Sequence, residues 1–145
     1  MSSASDFKLG IQSKSITIGI VGLGYVGLPT AISFFNSGFN VWGIDKSEDV
    51  VAQIKSQKNP TGDPSIENKI PSPEEKKWST TSSFSESIPE CDVIIVTVPT
   101  PINSMMGMEP KFVVEAGRNI FSNIPKNSGK IVVLESTVYP GSTLE

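Results

Sequence analysis

Six consecutive residues, Gly22-Leu23-Gly24-Tyr25-Val26-Gly27, space three glycines as G-x-G-x-x-G. Glycines are common in turns, so the pattern takes its meaning from what flanks it. Directly before it stands Ile16-Thr17-Ile18-Gly19-Ile20-Val21, a β-branched run apolar on both faces, as a strand buried in a parallel sheet requires. Directly after it the pattern turns helical. A glycine loop between a buried strand and a helix is the setting in which backbone N–H groups at a helix start cradle a pyrophosphate. There, Gly22 permits the tight turn, Gly24 lets the backbone approach the ligand without a Cβ in the way, and Gly27 allows close helix–strand packing. The second part of such a site is an acid at the end of the next strand, about 20 residues on. Asp45 lies eighteen residues after Gly27, at the end of a second apolar run. Its carboxylate is expected to accept hydrogen bonds from ribose hydroxyls and to repel a 2′-phosphate, which favours NAD over NADP. Lys46 would soften that preference, but alternation along the chain sends it to the opposite side. The bland alternative is a glycine turn followed by a capping Asp.

What the sequence lacks narrows the chemistry further. There is no histidine, so a Ser-His-Asp triad, a His general base and a His-held metal are impossible within these residues. Cys91 is the single cysteine, which rules out an internal disulfide and a cysteine zinc cluster. No metal site is expected. Cys91 precedes a buried strand and reads as a small packed residue. The formal net charge of -3 disfavours nucleic acid and anionic membrane surfaces as partners. Residues 1–15 are Ser-rich and read as a flexible tail. No run approaches the roughly 18 apolar residues that span a bilayer, so cytoplasmic placement is the default.

The elements that must position the glycines and the acid follow from pattern. A chain of 145 residues has material for one core but not two, and residues 16–145 are read as one domain. A helix is expected over residues 25–36, with Pro29 in its first turn, Val26, Ala31, Phe34 and Phe35 on its core side, and Gly38 as its carboxy-terminal cap. A second strand covers residues 39–45, and Ser47 caps a second helix over 47–56. Residues 57–77 carry Pro60, Gly62, Pro64, Pro71 and Pro73 and read as an irregular excursion, with one helical turn near 73–77. A loop of that length is often functional. Residues 78–81 read as an edge-like third strand, 84–88 as a short helix ending at Pro89, and 92–98 as the strongest strand. Residues 110–124 read as a helix with Phe112, Val113, Ala116, Ile120 and Phe121 as its apolar face, and 130–134 as a fifth buried strand. Alternating strands and helices imply the α/β class, here a Rossmann-type doubly wound parallel sheet with helices on both faces.

Three segments go beyond a generic glycine loop. Gly22-Leu23-Gly24-Tyr25-Val26-Gly27-Leu28-Pro29 resembles the opening of the NAD-binding domain of the UDP-glucose/GDP-mannose dehydrogenase family. Asp92-Val93-Ile94-Ile95-Val96-Thr97-Val98-Pro99-Thr100-Pro101 resembles that family's fourth strand and following cofactor-contact loop. Glu135-Ser136-Thr137-Val138-Tyr139-Pro140-Gly141-Ser142-Thr143 resembles the end of its fifth strand. Both later segments stand at carboxyl ends of strands, the edge where open α/β sheets bind ligands. Thr100 and Thr137 offer small hydroxyls there, and Pro99 and Pro101 stiffen the wall. Alternatively, the prolines only end the strand and Thr137 only caps it.

The resemblance implies NAD as cofactor, contacted by Gly22, Leu23, Gly24, Tyr25, Val26, Gly27, Asp45, Pro99, Thr100, Pro101, Ser136 and Thr137. Thr137 also matches a threonine that supports the family's catalytic centre. The whole enzyme is then expected to oxidise the primary 6-hydroxyl of a nucleotide sugar to a carboxylate, in two hydride transfers to two NAD molecules. In the family a cysteine holds the thiohemiacetal and thioester intermediates, helped by a lysine and an acid. Those groups belong to segments after the Glu-Ser-Thr motif, and Cys91 does not match the nucleophile. The chain is therefore read as the NAD-binding part alone, with catalytic and substrate domains absent, binding NAD without turnover. The nucleotide sugar would be engaged through the missing half, and the full-length protein is expected to be a homo-oligomer.

Gly62, Ile66 and the stretch to Pro73, with Pro101-Ile102-Asn103, resemble the UDP-N-acetylhexosamine dehydrogenases more than the UDP-glucose enzymes. Val50 departs from the pattern, since several relatives carry a basic residue there. The Met-rich residues 104–109 also depart, where relatives are polar. Two other readings compete. One is a dehydrogenase domain of the 6-phosphogluconate or 3-hydroxyacid type, disfavoured by the Pro-Thr-Pro and Tyr-Pro-Gly segments. The other is a non-catalytic dinucleotide sensor.

Overall fold

The computed structural model describes residues 4–101 and 110–136. Among them, five strands form one parallel sheet: β1 Thr17–Val21, β2 Asn40–Ile44, β3 Trp78–Thr81, β4 Val93–Val96 and β5 Ile131–Leu134. Their order across the sheet is β3-β2-β1-β4-β5. The order reverses at β1, because the chain winds outward through β2 and β3 and then returns to place β4 on the other side of β1. The loops leaving β1 and β4 therefore part company above the sheet and leave a crevice at the carboxyl ends, the usual ligand position of a doubly wound fold.

Two cores, one on each face, hold the layers together. Ile18 and Ile20 of β1, Val41 of β2 and Ile95 of β4 join Leu28, Ala31 and Ile32 of α2 (Gly27–Asn36) and Ile54 of α3 (Glu48–Lys55). On the opposite face Val21, Ile44, Ile94 and Val96 meet Ile88, Cys91, and Ala116 and Ile120 of α5 (Lys111–Asn123), with Phe84 of α4 (Phe84–Ser87) packed against them. Alternate residues of β1, β2 and β4 thus serve opposite faces, which is why these strands read as unbroken apolar runs. Ser47 caps α3 as expected, its side chain accepting the Val50 N–H. Gly38, at φ +92°, ends α2 where a left-handed residue is needed.

Several expectations are corrected. The supposed flexible tail holds a helix, α1 Ala4–Gln12, which places Phe7 against the first core. One half-buried aromatic anchor offsets the weak helix propensity of short polar residues. Val26 is exposed, because α2 begins only at Gly27 and its core side is set by Leu28, Ala31 and Ile32. On α5 only Ala116 and Ile120 are buried. Phe112 and Val113 are partly covered, and Phe121 is 66% exposed. The fifth strand is not buried either: Val132 and Leu134 pack on the second core, whereas Ile131 and Val133, on the α2 face, are 41% and 40% exposed. No described helix covers that face beyond β4, and among the described residues β5 pairs only with β4 and ends the sheet.

In the proline-bearing excursion the helical turn falls at Pro64–Ile66, not near 73–77, and the Asp63 side chain caps it by accepting the Ser65 N–H at 2.8 Å. Ile66 and Ile70 then insert into the first core, so the excursion is docked. Pro89 lies inside a short 3-10 turn, Ile88–Glu90, that extends α4. Among the described residues no helix is long and apolar enough to cross a membrane.

Candidate functional site

The glycine loop sits where β1 ends and α2 begins. Gly22 adopts φ +94°, a left-handed conformation that L side chains avoid, and a Cβ there would press on the backbone of Thr97 and Val98 at 3.1 Å. At Gly27 a Cβ would overlap the Gly22 carbonyl oxygen and the Thr97 hydroxyl. At Gly24 it would meet nothing within 4 Å and would project into open space. The three glycines therefore do three different things. Two make the turn and its packing possible, and the middle one keeps a space clear above the backbone. Among the described residues no side chain caps α2, whose cap position is held by Val26. Leu28 N–H donates to the Gly24 carbonyl at 3.1 Å and Pro29 has no N–H, so the donors open to an acceptor from outside are those of the loop and first helical residue, Gly24 to Gly27.

Asp45 leaves the end of β2 and turns toward this loop. Its Oδ2 accepts the Leu23 N–H at 2.8 Å and its Oδ1 accepts the Ser47 N–H at 2.9 Å. The carboxylate thereby fixes the glycine loop relative to the start of α3, and it is only partly buried. Each oxygen takes one N–H and keeps a lone pair for a further donor.

Thr97, unassigned by sequence reasoning, is the other clamp. Its hydroxyl donates to the Gly22 carbonyl at 2.8 Å and lies 3.1 Å from that of Val21, and its N–H donates to Val21. It locks the turn against β4. A buried hydroxyl at the end of an otherwise apolar strand was the signal for it.

A cleft of ≈ 500 Å³ opens over these groups. It brings together Gly22, Gly24, Tyr25, Val26, Asp45, Pro99, Thr100 and Ser136. Others of the expected contacts stand apart. Leu23 turns its side chain into the core and gives its N–H to Asp45, Gly27 is buried in packing, and Pro101 is exposed outside the lining. Thr137, with residues 102–109 and 137–145 and the motif stretches they carry, lies outside the described residues. Ser136 donates its hydroxyl to the Val98 carbonyl at 2.7 Å, which ties the end of β5 to the loop after β4. An apolar slot continues from Asp45, lined by Phe84, Val98, Pro99, Phe112 and Ala116. Phe112 was expected in the core and instead forms this wall, since the residues of α5 that enter the core are Ala116 and Ile120. Lys46, expected to face away, reaches across to α5: its Nζ lies 3.0 Å from Glu115 Oε2 and 4.9 Å from the centre of the Phe112 ring. A long flexible side chain leaves the strand direction as soon as the strand ends.

Cys91 belongs to none of this. It stands at the amino end of β4, the opposite end from the cleft, fully buried, its Sγ bonded to the Ser87 carbonyl at 3.2 Å. Burial pushes the thiol up to about 12 from an ordinary value near 9, against a smaller opposing pull from Lys130.

The uncapped helix start, the clear space above Gly24 and the carboxylate of Asp45 fit a dinucleotide, and the sequence matches a family of that kind. The match is to the NAD-binding domain of the UDP-glucose/GDP-mannose dehydrogenases, over residues 16–145. The chain belongs to this family. It is 37% identical over 130 residues to a UDP-N-acetyl-D-glucosamine 6-dehydrogenase from Salmonella typhi, covering 90% of this chain and 29% of the relative. Among solved structures, it is similar to a GDP-mannose dehydrogenase from Pseudomonas aeruginosa in a ternary complex. The TM-score is 0.82 at 29% identity, over 88% of this chain and 30% of that one. A UDP-D-ManNAc dehydrogenase from Pyrococcus horikoshii gives a TM-score of 0.78 at 31% identity, over 89% and 30%. The chain thus spans less than a third of the length of these relatives. As an NAD-binding domain of the UDP-glucose/GDP-mannose dehydrogenase family it has the α/β Rossmann fold expected of it, and NAD is the cofactor of that domain.

Proposed function

We propose that the cleft over β1, β2 and β4 holds NAD, with the pyrophosphate against the amino end of α2 above Gly22 and Gly24 and the adenosine ribose on Asp45. Tyr25, Val26, Pro99, Thr100 and Ser136 line the remainder, and the slot beside Phe112 receives the flat, apolar faces of the base. Gly27 acts by packing, and Leu23 acts through its N–H on Asp45. The observation that carries this reading is the pairing of an uncapped helix start with a carboxylate already fastened to the same loop. Helix N–H groups and the helix dipole favour an anion at that point, and a carboxylate with a free lone pair on each oxygen favours hydroxyl donors over a phosphate. When bound, NAD supplies a hydride acceptor at its nicotinamide ring.

For the whole protein, the reading is an NAD-dependent oxidation of the 6-hydroxyl of a nucleotide sugar to a carboxylate, with two NAD consumed. The preferred class is UDP-N-acetylhexosamines, supported by the likeness to a UDP-N-acetyl-D-glucosamine 6-dehydrogenase. The 145-residue chain binds the cofactor without turnover. Its one thiol is buried and protonated at the far end of β4, and it has no histidine. Calorimetric titration with NADH, followed by an assay for NADH formation from NAD and UDP-N-acetylglucosamine, tests both halves. Saturable NADH binding with no NADH formed is the expected result. An absence of heat or fluorescence change at millimolar NADH would overturn the cofactor assignment, and turnover by this chain would overturn the second half.

A further inference from the structure

Lys46 has no part in this cofactor contact, although it follows Asp45 directly and is the one cation among the described residues lining the cleft. A basic side chain beside the ribose-binding acid is the group that accommodates a 2′-phosphate. Here that side chain is engaged elsewhere. Glu115 holds its ammonium at 3.0 Å, and the face of Phe112 lies 4.9 Å away, within cation–π range. Both partners stand on α5, three residues apart and so on one side of the helix. Glu115 borders the slot next to Asp45, so the local charge is two carboxylates against one ammonium.

We infer that Glu115 is a specificity-determining residue. By pairing with Lys46 it keeps the ribose end of the cleft negative and withholds the one cation that would recognise a 2′-phosphorylated dinucleotide. It is a positioning residue, acting through Lys46 rather than on the cofactor. The inference rests on the cleft being the NAD site and adds to that reading the origin of its selectivity. Both side chains are about half exposed, so the pair contributes little to folding and its removal leaves the domain intact.

The test is calorimetric titration of NADH and NADPH into the wild-type 145-residue chain, Glu115→Gln, Lys46→Met and the double variant. Glu115→Gln is expected to tighten NADPH about five- to tenfold, the range for a partly solvated charge-assisted contact, and to move NADH by less than about twofold. The gain is expected to shrink in high salt and to vanish in the double variant. NADH binding that stays intact with an unchanged NADPH-to-NADH ratio in Glu115→Gln overturns the inference alone, as does a gain that survives in the double variant. Failure of the wild-type chain to bind NADH overturns the cleft assignment, and this inference with it.

Discussion

Gly24 and Gly27 carry the same letter in the sequence and stand in opposite surroundings. A methyl group at position 24 projects into open space, whereas at position 27 it collides with the Gly22 carbonyl oxygen and the Thr97 hydroxyl. Gly24→Ala is therefore expected to melt within a degree or two of wild type while weakening NADH about tenfold or more, because the methyl occupies the approach to the loop. Gly27→Ala is expected to lose roughly 2 kcal/mol of stability, the usual scale of overpacking, together with binding. Urea unfolding and NADH titration of the two variants separate the roles; equal stability losses would show that Gly24 too is structural. At this scale the sequence was informative where spacing encodes geometry, as with Gly22, Gly24, Gly27 and Asp45. It marked Thr97 only as a hydroxyl closing an apolar run, without its partners, and was silent on the Lys46 to Glu115 pair. These depend on partners 75 and 69 residues away in the chain.

The elements differ in what surrounds them, and β4 and β5 make the contrast. Both read as short β-branched runs, and periodicity alone assigned both to the interior. Ile94, in β4, is fully buried between β1 and β5 under α4 and α5. Val133, paired with Ile95 in β5, stays 40% exposed on the face that no described helix covers. Ile94→Ala is expected to cost about 2–5 kcal/mol, whereas Val133→Thr costs less than about 1 kcal/mol. Chemical denaturation of the two variants checks this, and comparable losses would mean that β5 is covered after all. A strand's own residues report their β preference, but burial is decided by what packs on it. The same holds for α5, where Phe121 has the right spacing for a core that does not extend to it.

On the scale of the whole molecule, Cys91 reports on global opening. Its thiol is buried between the sheet and the turn at Ile88–Glu90, and a Cβ on Gly19 would sit 2.6 Å from its sulfur. Its modification by a disulfide reagent is expected to proceed only from opened chains, and saturating NADH should slow it by mass action if NADH binds the folded state alone. Burial holds the folded thiol protonated up to about pH 12, whereas an unfolded thiol ionises near 9. Between those limits the folded state binds the extra proton, so stability is full below about pH 9 and falls as pH rises toward 12. Cys91→Ser should flatten that part of the pH–stability curve, measured by thermal melts from pH 7 to 11; an unchanged slope would assign the loss to other groups.

The sequence alone determined the α/β class, the parallel Rossmann sheet, the glycine loop with its distant acid, and the family. Each of these is written in local spacing: period in the strands, glycine positions in the turn, an acid at a strand end. The tertiary structure decided which apolar residues are inside, that residues 4–12 form a helix, that the excursion docks through Ile66 and Ile70, and that Lys46 is held by Glu115 across the cleft. Those outcomes depend on which surfaces meet when the chain winds outward, returns to β1 and lays α5 over the far face. Burial and charge pairing are properties of such meetings, and no single segment contains them.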